Sequence, residues 1–183
     1  MSFLPASAPN ASLLEVFKSF PETARPLILF HERLMRGDSP LTLGQRELIA
    51  AYVSGLNACA FCHGVHQATA QALGVEEGLL SALLRDLESA PVAPALRPLL
   101  RYARQLTLNP GRITRADAEA VFAAGWNERA LHDAVCVCAL FNLMNRLVNG
   151  LGVTADTGHY ERAGQRLARH GYAGLLNELP EPR

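Results

Sequence analysis

The sequence has no excess of charge of either sign. Its 17 lysines and arginines balance 17 aspartates and glutamates. A chain without a basic stripe lacks the electrostatic footprint that nucleic acid or an anionic membrane surface requires. No uninterrupted apolar run reaches the length of a membrane span. The opening Met1-Ser2-Phe3-Leu4-Pro5 carries neither the basic segment nor the continuous apolar segment of a secretory leader, so a cytoplasmic location is expected. Runs of β-branched residues are scarce, and no Asn-Gly pair sits between alternating strand-like segments, which argues against a sheet. Cysteine is sparse as well. Four cysteines in a cytoplasmic chain do not make a disulfide framework; they point to catalytic, metal-binding or buried thiols.

Helix formers dominate what is present: Ala, Leu, Arg, Glu and Gln. A hydrophobic content of 49% over 183 residues supports one sizeable core and excludes disorder as the main state. The expectation is an all-α helical bundle in a single domain. A neutral chain of this hydrophobicity also covers apolar surface by self-association, so a homo-oligomer is expected.

Capping and breaking residues divide the chain. Residues 1–11, with Pro5 and Pro9, read as a flexible arm, 12–178 as the helical domain and 179–183 as a frayed tail. Ser12 caps a first helix that Pro21 ends, and a second runs from Ala24 to Arg36. A third begins at Thr42, a fourth runs from Cys59 to Leu73, and a fifth from Glu76 to Leu87. Ser89 to Pro98, with three prolines, reads as a connection, followed by helix to Leu108. Thr114 and Asp117 form a capping box for a helix to Ala124, Asn127 opens a long apolar helix to Leu151, and Asp156 opens the last, to His170. Ala72-Leu73-Gly74-Val75 and Gly150-Leu151-Gly152-Val153 end two helices alike, a weak sign of internal duplication.

The chemistry concentrates in Glu47-x11-Cys59-x2-Cys62-x3-His66, with His63 beside the second cysteine. On a helix, Cys59, Cys62, His63 and His66 fall within about a third of the circumference. Thiols three apart lie within disulfide reach. Cys59 sits near a helix N-terminus, where free N–H groups and the helix dipole stabilise a thiolate. His66, one turn beyond Cys62, can exchange a proton with it, and Glu47 can orient His66 and stabilise its charged form. By position, Cys59 is expected to be the more exposed thiol. Neither His66 nor Glu47 is expected to hold the core together.

Other readings stand beside a redox dithiol. The two thiols can be plain core residues. Two Cys and two His match a zinc ligand set, but one helix face of fewer than three turns cannot surround a tetrahedral ion. Cys-x-x-Cys-His also marks c-type haem attachment, which needs an exported protein. Elsewhere, Cys136 and Cys138 fall on different helix faces and read as packing residues. His31 and His132 are isolated, and a surface or satisfied histidine is the default. His159-Tyr160 can line the site. Asn142, Asn145, Arg146 and Asn149 form a polar stripe, explained equally by a buried network, a subunit contact or a ligand.

The segment from Arg46 to His66 closely resembles the AhpD-like alkylhydroperoxidases of the carboxymuconolactone decarboxylase superfamily. Phe141-Asn-Leu-Met-Asn-Arg-Leu-Val-Asn-Gly-Leu-Gly152 is similar to its peroxidase-related branch. The resemblance implies an AhpD-like helical bundle that forms homo-oligomers and uses no metal or haem. It implies that peroxide oxidises Cys62 to a sulfenic acid and that Cys59 donates a proton and then closes a disulfide. His66 and Glu47 would be the proton relay, and an external dithiol the reductant. One departure bears on the relay. The well-studied members carry a further His between the cysteines, where this chain has Phe61, and here His63 follows the second cysteine. Members without the Cys pair decarboxylate a lactone, and the intact pair argues against that activity. The expected function is a thiol-dependent peroxidase. The alternatives are a disulfide reductase serving a peroxiredoxin, or a redox sensor or structural oligomer without turnover.

Overall fold

A computed structural model describes residues 3–5 and 12–181. The described residues contain no strand, and the fold is all-α as composition requires. The α-helices are α1 (Leu13–Ser19), α2 (Pro21–Arg36), α3 (Leu43–Leu56), α4 (Ala60–Ala72), α5 (Leu79–Arg85), α6 (Leu96–Leu108), α7 (Arg115–Ala123), α8 (Glu128–Gly150) and α9 (Thr157–His170). Two short 3₁₀ segments add Pro110–Arg112 and Ala173–Glu178.

Local chemistry sets most boundaries. Ser12, Thr42 and Thr114 each open a helix through a reciprocal capping box, with Glu15, Gln45 and Asp117 returning the bond. Pro21 ends α1 and is also the first residue of α2, where its missing N–H costs nothing and its fixed φ suits the helix. That moves the start of α2 three residues ahead of the expected Ala24. The proline-rich connection is shorter than expected, because Pro98 lies in the first turn of α6.

The paired Leu-Gly-Val sequences have a local cause. Gly74 and Gly152 both adopt positive φ, at 91° and 66°. Val75 N–H reaches back to Ala70 O, and Val153 N–H to Val148 O. Each helix ends in the same glycine cap closed by an apolar residue, which demands the same short sequence twice.

The core is built around α3. Residues Glu47 to Ser54 are all buried, so this helix is enclosed on every side, as an apolar helix at the centre of a bundle must be. It packs against α4, α5, α6 and α8. By length and composition α8 could cross a membrane, yet half of its most apolar window is buried inside the molecule, against α3 and α6. α4 and α9 pack closely because small residues meet there. A side chain at Gly64 would strike the Tyr160 ring, and one at Gly164 would lie 2.6 Å from Ala68 Cβ. Of the residues read as a frayed tail, 179–181 are described. Leu179 is buried, and Arg25 donates to the Leu179 and Pro180 carbonyls and pairs with Glu181. Of the arm, Phe3 N–H donates to Leu151 O; residues 1–2, 6–11 and 182–183 lie outside the described residues.

Candidate functional site

The turn between α3 and α4 delivers the first thiol. Ala58 adopts φ of 52°, a left-handed conformation that costs an L-residue roughly 1–2 kcal/mol. In return, Cys59 N–H closes on Ser54 O at 2.9 Å, and Cys59 becomes the N-cap of α4. Its side chain makes no capping hydrogen bond. The neighbouring Cys62 thiol, the Cys62 and Phe61 backbone N–H groups and the Asn145 side chain favour its charged form; together they outweigh burial and bring the Cys59 thiol down to about 7. Cys62 moves the other way, since donating to Cys59 and being buried both oppose its ionisation. The pair thus holds one charge on Cys59 and one proton on Cys62.

Exposure reverses the expected order. Cys59 is 0% exposed, against 3% for Cys62, and Cys62 rather than Cys59 lines the adjacent cavity.

His66, buried one turn beyond Cys62, donates from Nδ1 to Glu47 Oε2 at 2.6 Å. Glu47 is fully buried. Burial alone would push its carboxyl up, but His66 and Arg36 overcome this and hold it below the usual carboxylate range. Its other oxygen, Oε1, accepts from Arg36 Nη1 at 2.7 Å and from the Tyr172 hydroxyl at 2.9 Å. Arg36 ends α2 and also donates to Leu167 O on α9. Glu32 of α2 accepts from the Tyr172 and Ala173 N–H groups, which fixes the C-terminal 3₁₀ segment over the site. Glu47 therefore joins α2, α3, α4 and the C-terminal segment. The expectation that it plays no part in holding the core is corrected: a buried carboxylate with three donors cannot be neutralised without leaving Arg36 short of its counter-charge.

His63 faces elsewhere. Its Nδ1 lies 3.2 Å from Ala51 O on α3, and it is not on the cavity wall with Cys62 and His66. Its position next to Cys62 turns it roughly 100° around the helix, toward Gly55, where a Cβ would meet its ring at 3.0 Å.

The cavity has a volume of about 360 Å³. Cys62 and His66 meet it from α4, His31 and Ile28 from α2, and Phe141 from α8. Phe61, in the inter-cysteine position, packs its ring on His159 and Tyr160 of α9, at 5.6 and 6.0 Å. His31 is buried rather than superficial. Its Nδ1 bonds Leu27 O at 2.8 Å, and burial lowers its pKa to about 4, so it is neutral near pH 7. Nothing in its sequence neighbourhood marked it, because a lone histidine on an amphipathic helix has no local signature.

The Asn stripe is a buried network in part. Asn145 donates to Ser54 Oγ at 2.9 Å and accepts from Asn57 Nδ2 at 2.9 Å, besides reaching Cys59. Asn142 bonds Thr107 and Cys138, and Arg146 bonds Asn142 from the surface side. Cys138 is a packing residue, as expected, whereas Cys136 is half-buried with its sulfur 3.6 Å from His132 Nε2. Among the described residues no group of three or more His, Cys, Asp or Glu side chains is placed to hold a metal ion.

The fold has counterparts in known proteins. The carboxymuconolactone decarboxylase family model matches residues 21–105, which contain Arg36, Glu47, both cysteines and His66. In this segment and in its fold, the chain is AhpD-like and similar to the carboxymuconolactone decarboxylase superfamily. A peroxidase-related protein from Silicibacter sp. TM1040, itself uncharacterised, is similar to this AhpD-like chain at 28% identity. The alignment covers 81% of this chain and 78% of that one, with a TM-score of 0.75. An AhpD-core peroxidase-related protein from Ralstonia eutropha JMP134 matches at 25% identity over 82% of this chain and 78% of its own, also with a TM-score of 0.75. A protein of unknown function from Agrobacterium tumefaciens shares the fold at 17% identity, with 80% and 99% covered and a TM-score of 0.66. No curated protein matches the sequence.

Proposed function

We propose that this AhpD-like chain is a thiol-dependent peroxidase in which Cys62 is the sulfur that meets peroxide. The observation that carries this reading is the division of labour in the pair. Cys59 holds the charge but is closed off, while Cys62 lines the cavity beside His66.

The cycle balances without a metal. The Cys62 proton passes to the neighbouring Cys59 thiolate, which leaves a Cys62 thiolate on the cavity wall. That thiolate attacks the outer oxygen of ROOH, the O–O bond breaks, and Cys62 becomes a sulfenic acid. The departing alkoxide takes a proton from protonated His66 and leaves as ROH. Glu47, bonded to Nδ1, balances the imidazolium charge and fixes which nitrogen faces the reaction. Cys59–SH then attacks the sulfenic sulfur, forming the Cys59–Cys62 disulfide and releasing water. An external dithiol reduces the bridge and becomes a disulfide itself. A protein disulfide would have to reach a sulfur that is only 3% exposed, which disfavours the reductase alternative. A cytoplasmic location and a homo-oligomer remain part of the proposal, because free thiols need a reducing compartment and several large apolar side chains, Leu29, Phe30 and Leu143 among them, are exposed.

The test is a peroxide-consumption assay with several dithiols. Wild type should turn over and Cys62→Ser should not. His66→Ala should slow oxidation by roughly 10²–10⁴-fold. In Cys59→Ser, a sulfenic-acid probe should label Cys62. Equal activity of wild type and Cys62→Ser would end this reading.

A further inference from the structure

The shape and charge of the cavity narrow the peroxide. We propose, resting on the peroxidase reading, that the substrate is an acidic amphiphile: the hydroperoxide of an aliphatic carboxylic acid, its chain in the cavity and its carboxylate on Arg162.

Hydrogen peroxide needs little more room than a water molecule, whose share of liquid volume is about 30 Å³. The cavity of about 360 Å³ falls instead in the range of small organic ligands. Its walls are mainly apolar. Leu13 and Phe17 of α1, Ile28, Val65 and Met144 face it, and Phe61 puts a phenyl ring where the well-studied relatives place an imidazole. Each methylene such a wall removes from water strengthens binding roughly fourfold. A small polar peroxide gains nothing from these surfaces, whereas an alkyl chain does.

The polar end is on α9. Arg162 and Arg166 line the cavity one turn apart and are both exposed. Arg166 is ion-paired with Glu178. Among the described residues the Arg162 side chain has neither an ion pair nor a hydrogen bond. Asp156 uses Oδ1 to cap the His159 N–H at 2.7 Å, and Glu161, which directly precedes Arg162, forms no ion pair with it. A planar guanidinium unpaired among the described residues, beside an apolar cavity that contains Cys62, matches a carboxylate with an alkyl chain. The protein as a whole is neutral, so this charge is local to the cavity.

The experiment compares linoleic acid hydroperoxide with its methyl ester, using dithiothreitol as reductant. The acid should have the higher kcat/KM, by roughly threefold to tenfold as befits a partly exposed ion pair. Arg162→Gln should remove that preference, chiefly through KM. Arg169→Gln, two turns further along the same helix and not on the cavity wall, should keep it. Calorimetry with laurate and dodecanol supplies a readout independent of turnover. Tighter binding of laurate in wild type, lost in Arg162→Gln, supports the ligand class even where no hydroperoxide is consumed, and only the peroxidase reading then falls. Equal kcat/KM for acid and ester, together with equal binding of laurate and dodecanol, overturns the proposal.

Discussion

The Tyr172 hydroxyl donates to Glu47 Oε1 at 2.9 Å, across 125 residues of sequence. Through this bond the C-terminal segment completes the shell of the carboxylate that holds His66. The two residues are expected to behave differently on substitution. Tyr172→Phe deletes one donor to a charged acceptor and should cost about 1–3 kcal/mol. Glu47→Gln leaves the largely enclosed Arg36 without its counter-charge and should cost about 3–5 kcal/mol. Urea denaturation measures both. A Glu47→Gln variant as stable as wild type would mean that the network does not hold the bundle together.

The thiol pair makes a titration prediction. Cys136 and Cys138 both ionise above the ordinary thiol value, because burial disfavours their charged forms. Thiolate absorbance should therefore rise first through Cys59, with a midpoint near 7. Cys62→Ala removes the strongest donor to Cys59 and should move that midpoint up toward 9.0. Asn145→Ala should shift it in the same direction by less. The sign for stability follows: a depressed thiol pKa adds stability above the unfolded value, and that share is lost as pH falls from 9 to 7. An unmoved midpoint in Cys62→Ala would contradict the shared proton.

His31 has the opposite consequence. Its pKa is 6.5 in the ordinary state and about 4 when buried here, so between these values the unfolded chain binds the extra proton. Stability should fall as pH drops through this window, by about 3 kcal/mol from His31 alone. In His31→Phe that part of the slope should vanish, as read from urea midpoints at several pH values. A slope unchanged from wild type would show that His31 accepts its proton in the folded protein.

Gly64 should tolerate no side chain. Alanine there meets the Tyr160 ring and forces α9 away from α4. Overpacking of this kind typically costs about 1–3 kcal/mol. Because α9 carries one wall of the cavity, Gly64→Ala should also weaken binding of apolar ligands. Gly74→Ala meets no neighbouring atom, so its cost should come from the positive φ alone, without an effect on binding. Thermal denaturation and ligand calorimetry on the two variants separate these effects.

The Cys-x-x-Cys helix and Glu47 were legible in the sequence because their spacing is local and the helix period converts it directly into a face. Capping boxes were legible for the same reason, and Ser12, Thr42 and Thr114 all cap as read. Arg36, Tyr172 and His31 were not, since they reach the site from α2 and from beyond α9 through packing that no periodicity encodes. The relative exposure of the two thiols was misjudged because position along a helix says nothing about which way an N-cap side chain turns. His63 shared a broad helical face with His66 on paper, yet the packing of α3 against α4 divided that face.

Cys59, a redox atom in the proposed cycle, is also the N-cap residue of its own helix. In the thiolate state its negative charge answers the exposed N–H groups of Phe61 and Cys62. Once the sulfur is bound to Cys62 in a disulfide, that charge is gone and those amides lose their best acceptor. In the proposed cycle the first turn of α4 would follow the oxidation state, held when reduced and loosened when oxidised. Amide exchange at Phe61 and Cys62 would follow the chemistry turn by turn, with the helix end serving as its own reporter.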